Sequence, residues 1–204
     1  MPVRVIAIDI DRTLLDDHRR VSEDNLAALR MVCDRGIAVA LCSGRDLPST
    51  RAIADPLEIP FWLVIQNGSL VIDPSGAAVY ACAFPPATAH RALDVLELHH
   101  LAPVVYDLYP RAHHIWWRDG AQSAPGMLEF RRDHGAVVTV VSDLRSILTG
   151  PVSHLEVFDD ADAVLAADKE FSGDREVVAI TNLSSSQKGA ALMGVYPAGT
   201  AKER

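Results

Sequence analysis

Val3-Arg4-Val5-Ile6-Ala7-Ile8-Asp9-Ile10-Asp11-Arg12-Thr13-Leu14-Leu15 is the stretch from which the rest of the chain can be ordered. Residues 3–8 are apolar except for Arg4, short and rich in Val and Ile, which predicts a strand buried on both faces, as in a parallel sheet. Asp9 and Asp11 then stand at its carboxyl end, in the crevice where open α/β sheets bind ligands, spaced so that a turn aims both at one cation. An Asp in such a place also serves as a turn residue or a helix cap. A calcium loop is excluded, because its sixth position, Leu14, should be Gly and its twelfth, Arg20, should be Glu.

Downstream, Ser22 reads as the N-cap of a helix with Glu23 and Asp24 in its first turn, Leu26, Leu29, Met31, Val32 and Cys33 recur at helical spacing, and Gly36 stops it. Residues 37–42 form a second buried strand, so the segment is a βαβ unit of a parallel sheet. That strand ends in Ser43-Gly44-Arg45, residues 46–55 form a helix, and residues 61–65 a third strand ending in Gln66-Asn67-Gly68-Ser69. In a parallel sheet all three turns lie along one edge. Residues 69–72 and 77–82 around Asp73-Pro74-Ser75-Gly76 predict a hairpin, and Pro85-Pro86 a boundary.

Beyond it the order becomes helix (87–99), strands (104–108 and 113–117), helix (126–134), strand (137–141), short helix (143–148), strand (152–158) and helix (161–169), which suggests an α+β insert. Residues 176–181 return to a buried apolar strand, and Ser184 to Lys188 leads into a short apolar helix stopped by Pro197 and Gly199. The expected organisation is a core over 1–84, an inserted domain over 85–173 and a return to the core over 174–204.

The 204 residues are 49% hydrophobic and 23% charged, which excludes a disordered class. A net charge of −8 excludes nucleic acid and anionic membranes as expected partners. No apolar stretch approaches the roughly 20 residues of a membrane span, so a cytoplasmic location is expected. Cys33, Cys42 and Cys82 lack zinc or C-x-x-C spacing and read as reduced, mostly buried thiols. The histidine pairs His99-His100 and His113-His114 point in diverging directions and read as structural or solvent-facing.

Together, the strand ends narrow the chemistry. A carboxylate can attack phosphorus to form an aspartyl-phosphate when a metal neutralises the phosphate and a second group handles the leaving-group proton. Asp9 suits the nucleophile and Asp11 the acid and base; Ser43 and the amide of Gly44 suit phosphate oxygens, and Lys188 adds a point charge. Asp9-Ile10-Asp11-Arg12-Thr13-Leu14-Leu15, Ser43-Gly44-Arg45, Asn67-Gly68 and Lys188-Gly189-x-Ala191-Leu192 resemble, in order and spacing, the successive motifs of the haloacid dehalogenase superfamily, in particular its Cof-type branch of sugar and small-metabolite phosphatases.

That resemblance implies a Rossmann-like α/β core with a parallel sheet and an inserted α+β cap. It also implies magnesium held by Asp9 and Asp11, catalysis by Asp9, Asp11 and Lys188, and phosphate or substrate binding by Ser43, Gly44, Arg45, Asn67 and Arg12. The substrate would be a small phosphorylated metabolite such as a sugar phosphate, hydrolysed through an aspartyl-phosphate. Within the cap, Tyr106, Tyr109, Arg111, Trp116 and Trp117 are candidates for substrate choice, although aromatics in an alternating strand more often pack a sheet face. Arg12 stands where the family usually has Gly. After Lys188 the only acidic residue is Glu203, where the family continues to a Gly-Asp motif that completes the metal site. The expectation is therefore a chain shortened at its C-terminus, with impaired activity, low stability and self-association through an open sheet edge. Alternative functions are a phosphosugar mutase or phosphotransferase, in which a sugar hydroxyl replaces water, and a non-catalytic remnant that binds phosphate or a partner.

Overall fold

The computed structural model describes residues 2–108, 114–120, 137–184 and 187–200. These form two compact units, one built from the chain before Cys82 and the other spanning Cys82–Thr200.

The first unit is a five-stranded sheet in the order β1 (Val5–Asp9), β2 (Ala38–Cys42), β3 (Phe61–Ile65), β4 (Leu70–Ile72), β5 (Ala78–Ala81). β1, β2 and β3 are parallel, whereas β4 and β5 fold back antiparallel as the expected hairpin. Helix α1 (Glu23–Asp34) begins at Ser22, whose side chain accepts the Asn25 N–H. Helix α2 (Leu47–Ala54) begins at Asp46, which accepts the Ser49 N–H. Both caps satisfy amide donors that the first turn of a helix leaves without a partner. Leu29, Val39, Leu41, Leu63, Ile65, Leu70 and Ile72 are buried within this unit.

One expectation fails here. β1 is not buried on both faces: among the described residues it is the edge of its sheet, and Val5 is 57% exposed. An apolar run reports that a strand favours an extended, half-buried surface, but whether it lies at an edge depends on partners distant in sequence.

The second unit has the sheet order β10 (Val177–Leu183), β11 (Ala190–Pro197), β9 (Val152–Asp160), β6 (Val104–Asp107), β7 (Ile115–Arg118), β8 (Val138–Val141). All neighbours are antiparallel except β7 and β8. Helices α3 (Pro86–Leu98) and α4 (Ala161–Glu170) contribute Leu93, Leu96, Val164 and Ala167 to a core shared with Val105, Leu155, Val157, Met193 and Val195. Asp160 caps α4 by accepting the N–H groups of Asp162 and Ala163. The helix expected over 126–134 lies outside the described residues.

Residues 174–200 differ from expectation. The segment after Lys188 is a strand, and residues 177–197 complete the second sheet rather than returning to the first. Ala190, Ala191, Leu192 and Met193 favour a helix in isolation, but β11 lies between β10 and β9 and pairs with both, so long-range pairing overrides local propensity. Gly194 fits this placement, because a Cβ there would lie 2.6 Å from the Tyr196 ring. β10, expected to be a buried core strand, is an edge among the described residues, with Leu183 68% exposed.

Candidate functional site

Because β1, β2 and β3 are parallel neighbours, their carboxyl ends meet along one edge. Asp9 pairs in register with Cys42, and Cys42 with Val64. One step further, the turns are stitched together: the Ser43 N–H donates to Val64 O at 2.9 Å, the Asn67 N–H to Ser43 O at 3.2 Å, and the Gln66 N–H to Arg45 O at 3.0 Å. The Gly44 position is close enough that a Cβ there would lie 3.1 Å from Asn67 Oδ1. The structure thus brings together Asp9, Asp11, Arg12, Ser43, Gly44, Arg45 and Asn67.

Each side chain has a defined setting. Asp9 is half-buried, and its Oδ2 accepts the Thr13 hydroxyl at 3.4 Å. Ser43 is only 2% exposed and its Oγ accepts the Arg45 N–H, which leaves its own proton to donate to an anion. Asp11 is held side-on by Arg45: Nε donates to Oδ2 at 2.9 Å and Nη2 to Oδ1 at 2.7 Å. That hydrogen bond, more than the charges of Asp11 and Asp46, raises the Arg45 pKa above its usual value, against the opposing effect of burial.

The backbone is strained at the same place. Arg12 has φ 62°, Gln66 50° and Asn67 52°, the left-handed region that costs a residue with a Cβ about 1–2 kcal/mol. This explains why a glycine suits position 12. Gln66 is fully buried, and neither its Oε1 nor its Nε2 is hydrogen-bonded among the described residues; the same holds for Ser69 Oγ. Strain and unsatisfied buried groups at one turn mark a position held by its surroundings.

Lys188 lies in the second unit, in the turn joining β10 to β11. Tyr106 and Trp117 are enclosed on one face of the second sheet, and half-buried Trp116 donates its indole N–H to Asp107, so these three pack the sheet; Tyr109 and Arg111 lie outside the described residues. The three cysteines are half-buried and form no disulfide, and no helix among the described residues is long and apolar enough to cross a membrane.

Sequence reasoning missed the Arg45–Asp11 pair, whose members are 34 residues apart.

Among the described residues, no three His, Cys, Asp or Glu side chains cluster as a metal site. The donor chemistry of Asp9 and Asp11 nonetheless fits magnesium. Carboxylates are the hard oxygen ligands it takes, and one or two protein carboxylates suffice beside water and substrate phosphate.

Comparisons with known proteins agree with this layout. The profile of the haloacid dehalogenase-like hydrolases matches residues 6–204. The chain is 38% identical over 71 residues to 5-amino-6-(5-phospho-D-ribitylamino)uracil phosphatase YcsE of Bacillus subtilis, a match covering 35% of this chain and 28% of that protein. It is 35% identical over 95 residues to phosphatase YwpJ of the same organism, covering 47% of this chain and 33% of the relative. The matched stretches thus span about a third of those relatives' own length. Among solved structures, a haloacid dehalogenase-like hydrolase from Bacteroides thetaiotaomicron superposes with a TM-score of 0.76 at 19% identity, covering 98% of this chain and 73% of the other. A Bacillus subtilis haloacid dehalogenase-like hydrolase gives 0.74 at 19% identity, with 98% and 75% covered. At that identity the likeness establishes the fold alone.

Proposed function

Since the chain belongs to the haloacid dehalogenase-like hydrolase family, we propose that it is a phosphatase: a magnesium-dependent hydrolase of the phosphomonoester of a small metabolite. The observation that carries this reading is the gathering of Asp9, Ser43 and Asn67 at the ends of three adjacent parallel strands. Matches to curated phosphatases support it.

In this reading an Asp9 oxygen attacks phosphorus, the bond to the leaving oxygen breaks, and Asp11 gives that oxygen its proton. Water then attacks the aspartyl-phosphate, Asp11 takes the water proton, and inorganic phosphate leaves Asp9 regenerated. Ser43 Oγ–H and the Gly44 amide donate to the phosphate oxygens. Magnesium, held by Asp9 and Asp11, would neutralise the phosphate charge. Lys188, in the turn joining β10 to β11, would add the point charge that steadies the phosphoryl group, and Lys202, which follows the second unit in sequence, is the other candidate for that role.

The test is hydrolysis of an aryl phosphate with and without magnesium by the unaltered chain and by Asp9→Asn, Lys188→Met and Lys202→Met. Turnover that needs magnesium and is lost in Asp9→Asn and in one of the two lysine variants is expected. Turnover surviving Asp9→Asn would remove the nucleophile from the scheme, and a loss in only one lysine variant would assign the lysine role to that residue. Appearance of a phosphorylated sugar acceptor in place of inorganic phosphate would favour a phosphotransferase.

A further inference from the structure

Asp11 has a side chain that is 54% exposed and follows extended backbone into the left-handed Arg12. Arg45 is different. Its side chain is 19% exposed, its N–H donates to Ser43 Oγ, its carbonyl accepts the Gln66 N–H, and Asp46 beside it caps α2. A guanidinium anchored on that frame meets both oxygens of Asp11 at 2.7 and 2.9 Å, the side-on geometry that fixes orientation as well as distance.

We propose that Arg45 is a positioning residue: it holds the Asp11 carboxylate in the orientation from which Asp11 exchanges a proton with the leaving group, and does not itself bind the substrate phosphate. The inference rests on the phosphatase reading and deepens it. It differs from the substrate-binding role that the Ser43-Gly44-Arg45 motif suggests, and the two roles separate experimentally.

A residue that only positions the acid matters most when the leaving group needs a proton. Hydrolysis of an alkyl phosphate, a poor leaving group, and of a nitrophenyl phosphate, a good one, is therefore measured with magnesium for the unaltered chain, Arg45→Met, Arg45→Lys and Asp11→Asn. For Arg45→Met, kcat/KM, which reports phosphoryl transfer to Asp9 and not the later water attack common to both esters, should fall about 100-fold on the alkyl ester, near the lower end of what a positioned acid contributes, and less than about threefold on the nitrophenyl ester. Arg45→Lys should recover only part of this, because an ammonium cannot span both oxygens. Equal losses on both esters, or a rise in KM alone, would overturn the proposal and return Arg45 to phosphate binding. If Arg45→Met shows no leaving-group dependence while Asp11→Asn does, Arg45 alone is misassigned. If Asp11→Asn shows none either, the acid role of Asp11 fails and the proposal with it. No hydrolysis of either ester by the unaltered chain overturns the phosphatase reading and the proposal together. As an activity-independent readout, the Arg45 Nε–H should be protected from exchange in a nitrogen-15 NMR spectrum and lose protection in Asp11→Asn; a freely exchanging Nε–H in the unaltered chain would refute the pair.

Discussion

The two sheets of this molecule treat their polar residues in opposite ways. In the first, Asp9 is the last residue of β1, and Asp11 and Asn67 stand beyond the strands, on turns whose backbone is left-handed at Arg12, Gln66 and Asn67. In the second, His154 lies within β9, fully buried, stacked between Tyr106 at 4.1 Å and Tyr196 at 4.8 Å, with Ser153 Oγ 2.6 Å from its Nδ1. The first arrangement places polar groups on strained turns at the strand ends, and the second removes groups from water to complete packing. Reactivity and stability should therefore respond to different substitutions.

The largest expected separation comes from Asp9→Asn, which should lower aryl phosphate turnover by roughly a thousandfold or more while leaving the thermal midpoint nearly unmoved. A midpoint that fell in step with activity would mean that Asp9 is structural. The converse is Leu155→Ala in β9. Leu155 is fully buried between the helices and the sheet, and its truncation should cost about 2–5 kcal/mol in denaturant unfolding. The same chemistry at exposed Val5, Val5→Ala, should cost less than about 1 kcal/mol; similar costs at the two positions would show that the β1 edge is covered in solution.

His154 gives a smaller, pH-dependent effect. Burial lowers its pKa from 6.5 to about 3, so it stays neutral in the folded chain while the unfolded chain protonates near its ordinary value. Between those values the unfolded state holds more protons. The stabilising effect of neutral His154 is thus complete above about pH 6.5 and is lost as the pH falls toward 3, at no more than about 1.4 kcal/mol per pH unit. The slope of unfolding free energy against pH should flatten in His154→Gln; an unchanged slope would place the titration elsewhere. The smallest effect is Arg12→Gly, which relieves a left-handed backbone and should stabilise the chain by about 1 kcal/mol or less, the relief being partly offset by the greater freedom of unfolded glycine. Destabilisation would indicate that the Arg12 side chain makes a favourable contact.

What the sequence made legible follows from how local each signal is. Ser22 and Asp46 announce their helices because capping is settled within three residues, and residues 61–65 announce β3 because flanking Pro60 and Asn67-Gly68 punctuate it. The carboxylates and the Ser43 and Asn67 turns were legible for the same reason, since parallel strands must end on one side. The exposure of β1, the strand at 190–197 and the grip of Arg45 on Asp11 were not. Each is decided by a partner that periodicity does not encode: a sheet edge, two flanking strands, or a guanidinium 34 residues away.

The turn after β3 has a consequence for how such a chain can grow. Gln66 and Asn67 are bonded through their amides to Arg45 and Ser43, so extra residues inserted there would pull apart the strand ends that carry the proposed site. The chain instead departs for its second unit at Cys82, beyond the β4–β5 hairpin, where no bond of that lattice is interrupted. Insertion tolerance is set by which backbone bonds an insert would break. On that basis the β4–β5 hairpin acts as a spacer: domains attached beyond it can be exchanged or elaborated while the reactive edge is inherited unchanged.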